Sequence, residues 1–354
     1  MRNIIPNRLV LSYILDWIVI IIIAAIGYTW SNQTPIHRPF SLTDPSISYP
    51  ETKHEKVPFG LALTLALILP AAIIALVIIL RIPGQTLHKD TPRSVLWRYK
   101  LWEINAGWLG IALAVASAYA TAKGLKLLFG KPRPDLLARC DPDLENVAAY
   151  VVGGLGRELP GAPVLVTSEI CRKRSHGLTK TGFVSFPSDH ASLSFAGSTY
   201  FSLWLCSKLT IAFPYLPIFP SSRRNSHDEE QTDNPESHSH KESALSIRKE
   251  GAAPPIYTLI APVIPIAVAF FIVASRWTDH RHHGVDLVFG SAIGVLFAWI
   301  AFRLYNLPIQ RGGGWSWGTR SRRNAFFKKI GFPSHVGNEN WAAERAESGQ
   351  LALV

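Results

Sequence analysis

The chain has 354 residues, 48% of them hydrophobic and only 17% charged, with a formal net charge of +11. Its positive mean hydropathy argues against an ordinary soluble domain, because the apolar residues gather into runs near the ~20 residues that cross a bilayer. The positive charge would suit nucleic acid, but it lies between the apolar runs and no nucleic-acid module interrupts them. Topology and anionic lipid or substrate explain it more simply, and no nucleic-acid partner is expected.

Six apolar runs follow in chain order, over Leu9–Trp30, Phe59–Ile82, Ala106–Phe129, Ala191–Phe213, Tyr257–Ser275 and Val285–Tyr305. They predict an all-α fold, a polytopic membrane protein with a six-transmembrane-helix bundle. The first run is too long for a signal-peptide core and has no small-residue cleavage pattern after it, so it reads as a retained helix. Arg2 and Arg8 precede it, Lys89, Arg93, Arg98 and Lys100 join the second and third runs, and Arg311, Arg320, Arg322, Arg323, Lys328 and Lys329 follow the sixth. All of these share one side of a six-span chain, and the positive-inside tendency makes that side, with both termini, cytoplasmic. The expected organisation is a six-span domain over 1-310 and a basic cytoplasmic tail over 311-354. Within the first unit, 214-255 is polar, mixed in charge and poor in aromatics, and reads as a disordered cytoplasmic loop.

Three polar stretches abut these runs. Lys126, Arg133 and Pro134 close the third, Pro187, Ser188, Asp189 and His190 open the fourth, and Ser275, Arg276, His282 and Asp286 bridge the fifth and sixth. With both termini inside, all three converge on the extracytoplasmic face, towards lumen or cell exterior. His282 and Asp286 are i, i+4 at the start of a helix and can share a face, so the carboxylate can orient the ring. Arg276 suits bidentate phosphate binding. Ser188 and His190 sit at a helix N-terminus, where backbone N–H groups favour an anion. Lys126 either snorkels to the interface or joins Arg133 and Arg276 around a shared anion. Taken singly, Ser188 reads first as a helix cap and His190 as an interface residue, while the Arg-Asp-His stretch reads equally as a salt-bridged turn. His280 and His283 raise the question of a metal, but Arg276 and Arg281 flank them and favour an anion, so no metal site is expected.

The ordered pattern K-x6-R-P, P-S-G-H and S-R-x5-H-x3-D, carried here by Lys126, Arg133, Pro134, Pro187, Ser188, His190, Ser275, Arg276, His282 and Asp286, resembles the signature of the type 2 phosphatidic acid phosphatase (lipid phosphate phosphatase) superfamily. That superfamily also includes the vanadium-dependent haloperoxidases, whose soluble form the six spans exclude. The overall look is nearest to fungal diacylglycerol pyrophosphate and phosphatidate phosphatases. The resemblance implies a lipid phosphomonoesterase with a phosphohistidine intermediate. His282 would be the nucleophile, Asp286 would orient it, and His190 would be the general acid and base. Lys126, Arg133, Ser188 and Arg276 would hold the phosphate. It also implies no cofactor and no magnesium requirement. Partners would be the lipid phosphate substrate and membrane lipids, with oligomeric state, organelle and the preferred lipid left open. A phospho-headgroup transferase of the sphingolipid-synthase kind, and a non-catalytic scaffold or transporter retaining the anion pocket, remain alternatives.

Asp189 departs from the signature, which has glycine there. Asp tolerates left-handed backbone better than most residues, but its carboxylate is expected to repel a phosphate dianion unless protonated or turned away. Slower turnover than Asp189→Gly at neutral pH is the corresponding expectation. Cys140 and Cys171 share the third-to-fourth connection and stand equally as a disulfide or as two free thiols. Asp16, inside the first run, is expected to pack against another helix.

Overall fold

The computed structural model describes residues 7–81, 92–173, 176–209, 211, 255–309, 314–318, 320 and 326. The expected loop 214-255 lies outside the described residues except for Pro255, as do Arg2, Lys89 and most of the basic tail. Long helices dominate. They are α1 (Asn7–Ser31), α2 (Phe59–Leu63 running on through Thr64–Ile68 and Leu69–Arg81), α3 (Arg93–Phe129), α4 (Asp189–Lys208), α5 (Ile260–Thr278) and α6 (Gly284–Tyr305). Within α2, Thr64–Ile68 is a π-helical turn. Pro70 follows it and has no N–H to continue the α-helical ladder, which gives the irregularity a local cause.

Five of these helices, all but α4, are long and apolar enough to cross a membrane. The fourth apolar run forms α4, a 20-residue helix that is less apolar than those five. It carries Ser192, Ser194, Ser198, Ser202 and Ser207, and most of its residues are buried because α2, α3, α5 and α6 surround it. A helix enclosed by protein need not be as apolar as one facing lipid. Close packing replaces hydropathy there: a Cβ on Gly197 would lie 1.8 Å from the Ala66 carbonyl oxygen, so α2 and α4 meet backbone to backbone. Helix α1 packs chiefly on α3 at the edge of the bundle.

Helix α3 begins at Arg93 rather than at Ala106 and is 37 residues long, or about 55 Å at 1.5 Å per residue. Its two ends therefore stand at opposite ends of the bundle. Near the first, buried Glu103 binds Lys208 at 2.6 Å and accepts from Ser316 N–H at 3.0 Å, which docks part of the tail segment there. Asp16 meets Tyr305 at the end of α6, as expected of a residue packed against another helix, and also pairs with Arg320 of that tail at 2.7 Å.

At the other end sits a small cap. It contains short helices Leu136–Cys140 and His176–Thr181 and an antiparallel pair, β1 (Val151–Gly153) with β2 (Leu165–Val166). This strand pair is the one departure from the all-α expectation among the described residues. Phe40 bridges to Val166, so the α1–α2 loop and the α3–α4 connection share a core of Phe40, Ile47, Leu136, Ile170 and Phe183. Cys140 and Cys171 are joined as a disulfide.

Candidate functional site

The site forms where the ends of α3, α4, α5 and α6 meet the cap, and each signature stretch contributes for a local reason. Gly130 adopts a left-handed conformation (φ 54°) and ends α3 just after Lys126. Ser188 is the N-cap of α4, its hydroxyl accepting from the Ala191 N–H at 3.4 Å and its own N–H donating to the Asp286 carbonyl at 3.0 Å. A Cβ on Gly290 would stand 2.5 Å from the Ser188 carbonyl oxygen, so only glycine lets α6 pass this close to the α4 N-terminus. Ser188, Asp189, His190, Lys126, Arg276, His282 and Asp286 are all buried.

His282 lies in the short loop between α5 and α6. Its Nδ1 is 2.6 Å from the Ser185 carbonyl oxygen. A carbonyl only accepts, so Nδ1 carries the hydrogen and Nε2 is left with its lone pair. That Nε2 is buried and has no hydrogen-bond partner. Burial, and then the nearby cations Lys126, Arg133 and Arg276, hold the ring's pKa well below the usual histidine range. His282 is therefore a neutral imidazole with one free nitrogen facing a cationic surround.

The expected Asp286–His282 pair takes a different form. His283 is the N-cap of α6 and Asp286 its N3 residue, and they close a capping box, with the Asp286 carboxylate accepting from the His283 N–H at 3.0 Å. That geometry turns the carboxylate back over the helix start. It also accepts from the Ser185 hydroxyl at 2.5 Å and pairs with Lys131 at 2.7 Å. Asp286 thus reaches His282 only through Ser185, whose side chain holds the carboxylate while its backbone holds the ring.

The second histidine, His190, has both ring nitrogens buried without hydrogen-bond partners. Its ring stands edge-on to Phe59 at 5.6 Å, within electrostatic reach of Arg276 and Lys126. Arg276 donates to Glu55 at 3.1 Å and to the Val57 carbonyl at 3.2 Å, both from the α1–α2 loop. Arg133 has a buried, unpartnered Nε, and burial lowers its pKa to about 10, which leaves it charged at neutral pH. Arg281, beside the site, binds Asp135 at 3.4 Å and Glu55 at 3.3 Å.

Asp189 is the first residue of α4 and is not in the left-handed region, so its position does not demand glycine. Its carboxylate is neither solvent-directed nor alone. One oxygen lies 2.9 Å from Lys126 Nζ and the other 2.8 Å from Lys123 Nζ. Lys126 accordingly points inward instead of snorkelling. His280 stacks on Tyr49 at 4.9 Å and His283 serves the capping box, which gives both extra histidines structural roles.

Four site residues carry no weight in the motif pattern. Lys123 could have been found as the i−3 neighbour of Lys126 on the same helical face. Lys131 sits inside the first stretch, and Ser185 lies two residues before the second. Glu55 has no sequence signal, since only tertiary folding brings its loop to Arg276.

Known proteins resemble the chain over most of its length. The chain is 26% identical over 295 residues to "Diacylglycerol pyrophosphate phosphatase 1" of Saccharomyces cerevisiae, covering 83% of this chain and 80% of that protein. A second relative, "Lipid phosphate phosphatase 1" of Arabidopsis thaliana, is 27% identical over 343 residues, covering 95% of this chain and 80% of the relative. No solved structure matches significantly. The PAP2 superfamily profile matches residues 107–309, a stretch that contains every signature residue described above. The chain belongs to the PAP2 superfamily.

Proposed function

We propose that this protein is an integral-membrane lipid phosphate phosphatase that works without a metal ion through a phosphohistidine intermediate. The observation that carries the proposal is the state of His282: neutral, fixed by the Ser185 carbonyl, with a free Nε2 among Lys126, Arg133 and Arg276. An in-line attack by Nε2 on phosphorus would form the N–P bond as the P–O bond to the lipid breaks. His190 would give a proton to the departing alkoxide and then take one from the water that cleaves the intermediate. Lys126, Arg133, Arg276 and Ser188 would bind the non-bridging oxygens and offset charge in the transition state. Asp286 would position His282 through Ser185. Fixed cations in a buried site can supply the stabilisation that a divalent ion supplies elsewhere, which is the basis for expecting no magnesium requirement.

The reading includes six spans with both termini cytoplasmic and the site facing lumen or cell exterior. It is supported by the separation of the Glu103–Lys208 and Lys126–Asp189 ends of the bundle. Twenty-three helical positions of α3 separate Glu103 from Lys126, about 35 Å, close to a hydrocarbon thickness. Relatives named for diacylglycerol pyrophosphate and lipid phosphates favour that substrate class.

The test is phosphate release by the purified full-length protein from phosphatidate, lysophosphatidate, diacylglycerol pyrophosphate and a sphingoid phosphate, with EDTA present. Activity that survives EDTA and is abolished by His282→Ala is the expected result. Phosphate appearing on an added alcohol acceptor instead of in solution would mark a transferase, and lipid turnover untouched by His282→Ala would defeat the mechanism.

A further inference from the structure

We infer that Lys123 and Asp189 form a charge-compensated pair that sets the electrostatic balance of the phosphate cradle, with Lys123 as the residue that keeps Lys126 available to substrate. The inference rests on the phosphatase reading above and goes beyond it, because neither residue belongs to the phosphate-holding set of the signature.

Three observations carry it. The first is contact: the two carboxylate oxygens of Asp189 are divided between two ammonium groups, Lys123 at 2.8 Å and Lys126 at 2.9 Å. The second is location. The side chains of Lys126 and Asp189 are 4% and 8% exposed, so their attraction is poorly screened. Lys123, at 19%, approaches from the outer side over the rings of Phe59 and Tyr119. The third is that Asp189 touches the site on its other side as well, accepting from the His190 N–H at 3.1 Å with His190 Nδ1 3.5 Å away.

A carboxylate placed there cancels one of the three cations, Lys126, Arg133 and Arg276, that would otherwise face a phosphate dianion. Lys123 restores the lost charge from one helical turn away. When phosphate arrives, Asp189 has an alternative partner, so Lys126 can turn to substrate without stranding a buried carboxylate. Without Lys123, every Lys126–phosphate contact would leave Asp189 unpaired in a low-dielectric setting, which is costly. Lys123 is therefore a positioning residue whose effect exists only because Asp189 is present.

That dependence is the test. Full-length wild type, Lys123→Ala, Asp189→Gly and the double variant are purified in detergent. Phosphate release from phosphatidate and stabilisation by inorganic phosphate in a thermal-shift assay are measured for each. Lys123→Ala is expected to lose tenfold or more in kcat/KM and to weaken phosphate binding by a similar factor. In the double variant, Asp189→Gly is expected to return both to within about threefold of the Asp189→Gly single variant, as coupling between contacting groups requires. Lys123→Arg, which keeps the charge, is expected to stay within about threefold of wild type. A double variant as impaired as Lys123→Ala, with its unfolding temperature unchanged, would overturn the pairing and give Lys123 a role independent of Asp189. A wild-type protein that neither hydrolyses phosphatidate nor responds to phosphate would defeat the phosphatase reading itself, and the pair's role with it.

Discussion

Ser185 and Asp286 meet at 2.5 Å, and the same serine holds His282 through its backbone carbonyl at 2.6 Å. One residue thus serves as the hinge between the carboxylate and the ring. Ser185→Ala and Asp286→Ala are each expected to lower turnover by about tenfold or more. Their combination should fall well short of the product, with a coupling of about 1 kcal/mol or more between them. Steady-state kinetics on the four proteins measures this. Independent, additive effects would mean that Asp286 does not act through Ser185.

The acid limb of activity should reflect the neutral state of His282. Its pKa is lowered by burial and by Lys126, Arg133 and Arg276. A base whose pKa is lowered stays unprotonated to lower pH, so the limb of kcat/KM, corrected for the substrate's own phosphate ionisation, should fall below the ordinary histidine value of about 6.5. Stability has the same sign. As pH drops below that value, the unfolded chain takes up a proton that folded His282 refuses, and stability declines. Arg133→Gln removes one cation and should move the limb upward. An unmoved limb would show that another group controls it.

The disulfide closes a separation of 31 residues, for which chain-entropy arguments give about 3.5 kcal/mol. Cys140→Ser should destabilise the cap by an amount of that order and should raise its hydrogen exchange while leaving the α2–α4 contact protected. Hydrogen exchange resolved by peptide separates the two regions. Equal loss of protection across the bundle would mean that cap and bundle unfold together.

Gly290 is the position at which packing and site meet. Gly290→Ala puts a methyl group 2.5 Å from the Ser188 carbonyl oxygen, an overpacking that costs about 1–3 kcal/mol. The helices must part at the N-terminus of α4, so kcat should fall by tenfold or more even where the protein still purifies as a folded species. Full activity in a folded Gly290→Ala would show that α4 does not need this approach.

Much of the site was legible in the sequence because each signature stretch abuts a helix end, and helix ends gather at bundle faces. Lys126, Ser188, His190, Arg276 and His282 all lie where that reasoning puts them. The His282–Asp286 contact was misread for a physical reason. Spacing i, i+4 permits a shared helical face, but His283 to Asp286 also has N-cap to N3 spacing, and the capping box claimed the carboxylate. Asp189 suggested repulsion because it was weighed without Lys123 on the facing helix α3, whose ammonium offsets its charge. The start of α3 was placed late because counting apolar residues stops at Glu103 and Lys100, although both are good helix formers. Glu55 was not legible at all, since the path of a loop over a site depends on contacts distant in sequence.

The pairing of Glu55 with Arg276 has a consequence for how the pocket accepts a ligand. Glu55 is 31% exposed and belongs to a loop, whereas Arg276 is almost wholly enclosed. The resting enzyme therefore already has an anion on that guanidinium, one with an escape route to water. On the phosphatase reading, substrate entry would then be an ion exchange, in which the headgroup replaces a tethered carboxylate that returns as product leaves.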